Sequence, residues 1–228
     1  MKAKKKTADI LRITRSDQYQ TVEELLVRSQ PNSVYYTLLI VSAFIITAGL
    51  LLENAAITIG GMLVTPVLTP VLVIALGAAT RKPKPAGHAL LLIAKSVVIL
   101  VLISFTLALL FEPPTEITVF DATLKNALLY FMVAFASGIA ATFAWVRKEV
   151  SSALPGIAIA VALVPPLSLI GIGLALFDLD AARYNLYLFL FNLIGIFLGS
   201  MIVFILLQFS KVEKKFEDEE KGLFQADL

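Results

Sequence analysis

Four prolines sit where an apolar chain can least spare a hydrogen-bond donor. Pro66 and Pro70 lie in the run TPVLTP, and Pro165 and Pro166 are adjacent in LVPPLS. Each proline removes an amide donor and clashes with the preceding turn, which kinks or breaks a helix. Hydroxyls stand beside them: Thr65, Thr69 and Ser168. Thr65-Pro66 and Thr69-Pro70 read as helix starts, because threonine is a good N-cap and proline suits the first helical position. A half-helix that begins inside a membrane offers free amides and its positive dipole end to an anion. The carbonyl end of the half-helix before it can coordinate a cation. The chemistry expected of Thr65, Pro66, Thr69, Pro70, Pro165, Pro166 and Ser168 is therefore reversible binding of a small solute or ion. The plain alternative is two kinked helices without a site.

Four further residues are candidates. Lys95 is the clear charge inside an apolar run, and Asn192 lies 97 positions after it. Both could face one inner region, or Lys95 could snorkel to the nearer membrane surface. Glu53 and Asn54 form the whole polar break between two apolar runs, so they mark a tight helical hairpin. Asn54 suits an N-cap, and Glu53 is either a turn charge or a carboxylate at the mouth of a pathway. Other chemistry is excluded. The chain has no cysteine and one histidine, His88, so no thiolate or multi-histidine metal site can form. Ser42, Ser137 and Ser168 lack a histidine base, and no HExxH, GxSxG or phosphate-loop motif is present. No enzyme, no cofactor and no metal site are expected.

The elements that must hold these residues are membrane helices. Of 228 residues, 58% are hydrophobic and 16% are charged. Mean hydropathy is +0.87. Ordinary soluble domains carry about 25% charge, and no soluble core of this size hides six long apolar runs. A nucleic-acid-binding role is excluded on the same ground. A bilayer core about 30 Å thick needs roughly 20 apolar residues per helix. Six segments meet that length: 34–52, 55–79, 89–111, 127–146, 153–177 and 184–209. Pro66 and Pro165 fall at the centres of the second and fifth.

Lysine and arginine favour the cytoplasmic side. Sixteen of them lie in segment 1–33, in the loops after spans 2 and 4, and in the tail, against Lys125 and Arg183 on the other side. Both termini are therefore expected in the cytoplasm of a multi-pass cell-membrane protein. Residues 1–33 read as a basic cytoplasmic segment. It carries a short amphipathic helix over 20–30, with Thr21 and Glu24 at capping-box spacing and Pro31 beyond its end. Residues 210–228 read as a charged cytoplasmic tail. Trp145, beside Arg147, reads as an interfacial anchor.

A shift of 99 positions places Pro66 on Pro165 and Thr69 on Ser168. It also places spans 1–3 (34–111) on spans 4–6 (127–209). Three spans reverse the chain direction, so the halves would be inverted repeats, as recur in secondary transporters. The expected fold is all-α, with six spans in two inverted three-helix repeats and spans 2 and 5 broken at proline.

The run NAAITIGGMLVTPVLTPVL, followed about a hundred residues later by GIAIAVALVPPLSLIGIGLAL, resembles the DUF389 family of prokaryotic multi-pass membrane proteins. The resemblance covers residues 34–209. It implies fold and location, and it implies no substrate, cofactor or catalytic residue. The leading expectation is a transporter of a small solute or ion, with a mid-membrane site at spans 2 and 5. An oligomeric ion channel and a non-transporting structural or sensory protein are the alternatives. The expected partners are the lipid bilayer, the solute and further copies in a homo-oligomer.

Overall fold

The structure is a computed structural model that describes residues 13–81, 83–111, 124–147 and 163–212. Among the described residues it is all-helical: eight α-helices and one 3-10 turn. In chain order they are α1 (Arg15–Arg28), α2 (Ser33–Leu51), α3 (Ala55–Val64), α4 (Leu68–Thr80), α5 (Pro83–Leu110), α6 (Leu124–Val146), α7 (Val164–Ala175) and α8 (Leu179–Leu206), then the turn Phe209–Val212. Helices α2, α5, α6 and α8 are long and apolar enough to cross a membrane, and α3 with α4 make a fifth crossing if the bent pair is one span. The first part of the expected span 5, the start of the basic segment and most of the charged tail lie outside the described residues. What is described of span 5 is the short apolar helix α7.

The helix before the first span is longer than the sequence suggests. It starts at Arg15, and its capping box is Thr14 with Asp17, not Thr21 with Glu24. Thr21 lies inside the helix, where its hydroxyl donates to the Asp17 carbonyl. An earlier Thr-x-x-Asp competes for the same role, and carboxylates other than Glu close a capping box. Nor is α1 simply laid on the surface. Val22, Leu25 and Leu26 are buried with Leu72 and Leu76 of α4, Val203 and Phe204 of α8, and Phe209. The Gln18 carboxamide donates to the Leu207 carbonyl at 2.8 Å and ties α1 to the end of α8.

One core cluster therefore joins α1, α4, the start of α5, and the ends of α6 and α8. A second cluster joins α2, the start of α4, the middles of α5, α6 and α8, and the start of α7. The helix ends that border residues Arg28, Lys84 and Arg147 all meet around the first cluster. Apolar side chains outside the clusters stay exposed, Val98, Leu102 and Met132 among them. That is the inside-and-outside apolar pattern of a lipid-embedded helix.

Several helix boundaries recur at a spacing that differs from the 99 of the proline alignment. α5 and α8 begin at 83 and 179 and end at 110 and 206, a shift of 96. α4 and α7 begin at 68 and 164, the same shift. This places Pro70 on Pro166, Gly77 on Gly173, Ser96 on Asn192 and Ser104 on Ser200. The ends of α2 and α6, at 51 and 146, differ by 95 and place Ser42 on Ser137 and Thr47 on Thr142. Ser42, Ser137, Thr47, Thr142, Ser96, Asn192, Ser104 and Ser200 are all buried. The packing follows the same pairing: α2 meets α5 as α6 meets α8, α4 meets α5 as α7 meets α8, and α5 meets α7 as α8 meets α4.

The α6–α8 crossing depends on glycine. A methyl group at Gly199 would collide with the Phe135 carbonyl oxygen, and one at Gly138 with the Ile196 backbone. Small residues let apolar helices approach this closely where no hydrophobic force drives them together. Gly60, by contrast, has open space where a methyl group would stand, with no neighbouring atom within 4 Å. Gly199→Ala is expected to destabilise the fold by about 1–3 kcal/mol through overpacking. Gly60→Ala should leave stability unchanged or slightly raised. Thermal unfolding of both variants in one detergent checks the contrast.

Candidate functional site

The break between α3 and α4 follows from the residues in it. A residue before proline is pushed out of the α region, so Pro66 ends α3 one residue earlier. Thr65 accordingly has φ −67° and ψ 133°, extended backbone, and α3 stops at Val64. α4 restarts at Leu68 at an angle of 52° to α3. Pro70 falls in its first turn, where a missing amide costs nothing because first-turn amides have no helical partner.

Neither threonine caps a helix as the sequence suggests. Thr65 closes α3, and α4 begins from Val67 without a side-chain cap. Thr69 is inside α4. Its hydroxyl reaches the Pro66 carbonyl at 3.1 Å and the Arg28 carbonyl at 3.3 Å, so it serves the broken backbone and the end of α1. The chain turns helical directly after Pro66: Val67 takes helical φ and ψ before Thr69 is reached, which leaves Thr69 no cap to make.

A cavity of about 550 Å³ opens at this break. Thr65, Pro66 and Thr69 line it with Tyr35 of α2, Arg28 at the end of α1 and Trp145 at the end of α6. The Arg28 guanidinium carbon lies 5.3 Å from the centroid of the Trp145 ring. A cation over a tryptophan face is worth about 0.5–1 kcal/mol where exposed. The Tyr35 hydroxyl is engaged with Ser96 at 2.9 Å. Asn32 is engaged as the cap of α2, accepting from the Tyr35 amide at 2.8 Å. Two buried polar atoms of the lining residues have no partner among the described residues: the Thr65 hydroxyl and the Trp145 indole nitrogen. A third, the Ser29 hydroxyl, follows Arg28 directly.

The remaining sequence candidates go elsewhere. Pro165 and Pro166 occupy the first turn of α7, which begins from Leu163 with no side-chain cap. Ser168 is fully buried, 3.5 Å from the Thr47 hydroxyl, which itself meets Ser104 at 2.7 Å. This is a hydroxyl seam joining α2, α5 and α7, and none of its members lines the cavity. Asn54 caps α3, accepting from the Ala56 and Ile57 amides at 3.0 and 3.2 Å. Glu53 is exposed in the hairpin turn with φ 51°. Both stand apart from the cavity lining.

Lys95 and Asn192 do not face one inner region. Asn192 is buried on α8, whereas Lys95 is exposed on α5 in a shallow apolar groove with Tyr36, Ala94, Val98 and Ile99. At the 96-residue spacing of the helix ends it is Ser96, buried on α5, that pairs with Asn192. A lysine on an outer helix face satisfies its charge by reaching along its stem to the membrane surface. Sequence reasoning missed Arg28 and gave Trp145 only an anchoring role. The signal for Arg28 was its place in the last turn of a helix just before Pro31 and the first span.

The family described as Domain of unknown function (DUF389) matches residues 62–198, more than half of the chain. An uncharacterized protein of Methanocaldococcus jannaschii is 23% identical over 193 residues. The alignment takes in 85% of this chain and 59% of that protein, so the chain spans about three fifths of the relative's length. No solved structure matches.

The unpartnered Thr65 hydroxyl makes a stability test possible. A buried polar group without a partner costs about 1–3 kcal/mol, so Thr65→Val is expected to leave the melting temperature unchanged or raise it. Thr47→Val, which strips the Ser104 hydroxyl of its partner, is expected to lower it by a similar energy. Thermal unfolding of the two variants side by side reads the opposite signs.

Proposed function

The chain belongs to the DUF389 family, and because that description assigns no activity, we propose a function from the geometry: a multi-pass membrane transporter of a small solute or ion. The observation that carries the proposal is the cavity at the broken helix. An apolar bundle that spans hydrocarbon tolerates irregular backbone only where protein or a cavity surrounds it. Here the break at Thr65-Pro66 coincides with a cavity, with polar groups that lack a partner among the described residues and with a cation in its lining.

The proposed architecture is six spans in two inverted three-helix repeats. The shift of 96 between helix boundaries, the burial of hydroxyl and amide residues at matched positions, and the matched helix contacts all support it. In such repeats the solute site lies near a discontinuous helix, and one half rocks against the other to expose it to alternate sides. The proposed orientation puts both termini in the cytoplasm, in keeping with the basic helix ends gathered at one end of the bundle. The solute passes unchanged, and the chain carries out no chemistry on it.

Flux in proteoliposomes under sodium, potassium, proton and chloride gradients, and of small labelled organic solutes, tests this reading. Saturable flux is expected. Pro66→Ala, which lets α3 run on into α4, should slow it by at least about tenfold, one 1.4 kcal/mol step in the barrier. Lys95→Ala should leave it unchanged, since Lys95 faces outward. Flux that ignores Pro66→Ala would remove the broken helix from the mechanism. Single-channel currents would make the protein a channel, and no flux of any solute would leave a structural or sensory role.

A further inference from the structure

We propose that the cavity takes an amphiphilic monoanion, a carboxylate or phosphodiester group on an apolar body, with the anionic oxygens set against Arg28. The proposal rests on the cavity being a binding site and names the class of ligand it selects.

The charge of the ligand follows from the polar groups at the break. The carbonyl end of α3 and the amide end of α4 meet there, each equivalent to about half a charge and of opposite sign. They largely cancel. The positive charge of Arg28 then decides: no residue lining this cavity carries a carboxylate, and Glu23 and Glu24 stand with Arg28 in a separate groove along α1. The polar groups still free are of the same kind. The Trp145 indole nitrogen is a donor only, and the Thr65 hydroxyl can donate; both are buried and have no partner among the described residues. The Asn32 side-chain oxygen takes the Tyr35 amide, and Tyr35 gives its hydroxyl proton to Ser96, whose own proton goes to the Leu92 carbonyl. A site with spare donors and one guanidinium recognises oxygens that carry one negative charge.

The apolar body follows from the walls and the volume. Val27, Val34, Leu38, Leu63, Val64 and Leu68 make up the rest of the lining. A volume of about 550 Å³ suits a small organic molecule. A bare inorganic ion, near the roughly 30 Å³ of a water molecule, would leave those walls against trapped water. Binding therefore gains from burying an apolar body as well as from pairing a charge.

The chain has one tryptophan, and it is Trp145 in this cavity, so its fluorescence reports occupancy directly. Purified full-length protein in an uncharged detergent is titrated with acetate, hexanoate, benzoate and inorganic phosphate. Hexylammonium and hexanol serve as cationic and neutral controls. A saturable change in Trp145 emission is expected with hexanoate or benzoate at lower concentration than with acetate or phosphate, and none with the controls. Arg28→Gln should weaken the response at least tenfold and Thr65→Val several-fold, with melting temperatures confirming that both variants fold. Equal response to hexylammonium, an Arg28→Gln titration like the wild type, or no response to any anion would overturn the proposal. Nanodiscs of phosphatidylcholine with or without phosphatidylglycerol separate the two sources. If phosphatidylglycerol alone changes the emission and displaces hexanoate, the anion is a lipid phosphodiester; if it does neither, the anion is a free carboxylate. Anion binding without flux would overturn transport and leave the site. Saturable flux without an anion response would leave transport and overturn the ligand class.

Discussion

A backbone amide or carbonyl inside an apolar bundle must find a partner, and no other constraint shapes this protein as strongly. Most of the chain answers it with uninterrupted helix. Where helices end, the turns answer it locally. The hairpin after α2 closes with the Asn54 amide on the Gly49 carbonyl at 2.8 Å, and the hairpin after α7 repeats it with Asp178 on Gly173 at 2.8 Å. In both, a non-glycine residue takes positive φ, Glu53 at 51° and Phe177 at 59°, and an Asn or Asp then caps the next helix. At the break at Thr65-Pro66 a side chain answers it, Thr69 donating to the Pro66 carbonyl, and the Thr65 hydroxyl is an exception, without a partner among the described residues.

The buried hydroxyls show why that exception carries meaning. Within a helix, serine and threonine satisfy themselves on the carbonyl one turn back. Thr47 does so on Ala43, Thr80 on Leu76, Ser96 on Leu92 and Thr142 on Gly138. Such residues cost an apolar helix little, and several go further and join helices, as Thr47 does with Ser104 and Ser200 with Gly138. Thr65 cannot use the same device. Pro66 holds it in extended backbone, off the end of α3, so the carbonyl one turn back is out of line. Its unmet hydroxyl is a consequence of the break, and it lies on the wall of the cavity the break creates.

Much of this was legible in the sequence because its physics is local. A proline's effect on its own helix depends on two residues, so the interruption of span 2 at Pro66 could be placed to within a residue. The Asn54 cap and the two-residue hairpin are equally local. What failed was what depends on three dimensions. Aligning proline on proline set a shift of 99, whereas the helix ends run at 96; Lys95 and Asn192 are 97 apart, and at 96 it is the buried Ser96 that pairs with Asn192, while Lys95 is exposed. Thr65 and Thr69 looked like caps because Thr-Pro is a common helix start, yet Val67 enters the helical region first. Arg28 and Trp145 are 117 positions apart in the chain. Nothing in either segment announces the other, and only the packing of α1 against the ends of α6 and α8 brings them together.

That packing ties α1 to the break in the helix as well as to the core. Its apolar face is sealed into the core, and its two polar ties, Gln18 to the Leu207 carbonyl and the Arg28 carbonyl to Thr69, hold both of its ends. The second tie ends on the helix that begins at the break. The Thr69 hydroxyl has one proton for two carbonyls, Pro66 at 3.1 Å and Arg28 at 3.3 Å, so the break and the end of α1 share a single donor. Arg28 and the broken helix line one cavity. In the proposed transport cycle, an anion held at Arg28 would lie in the cavity that opens at the break between α3 and α4.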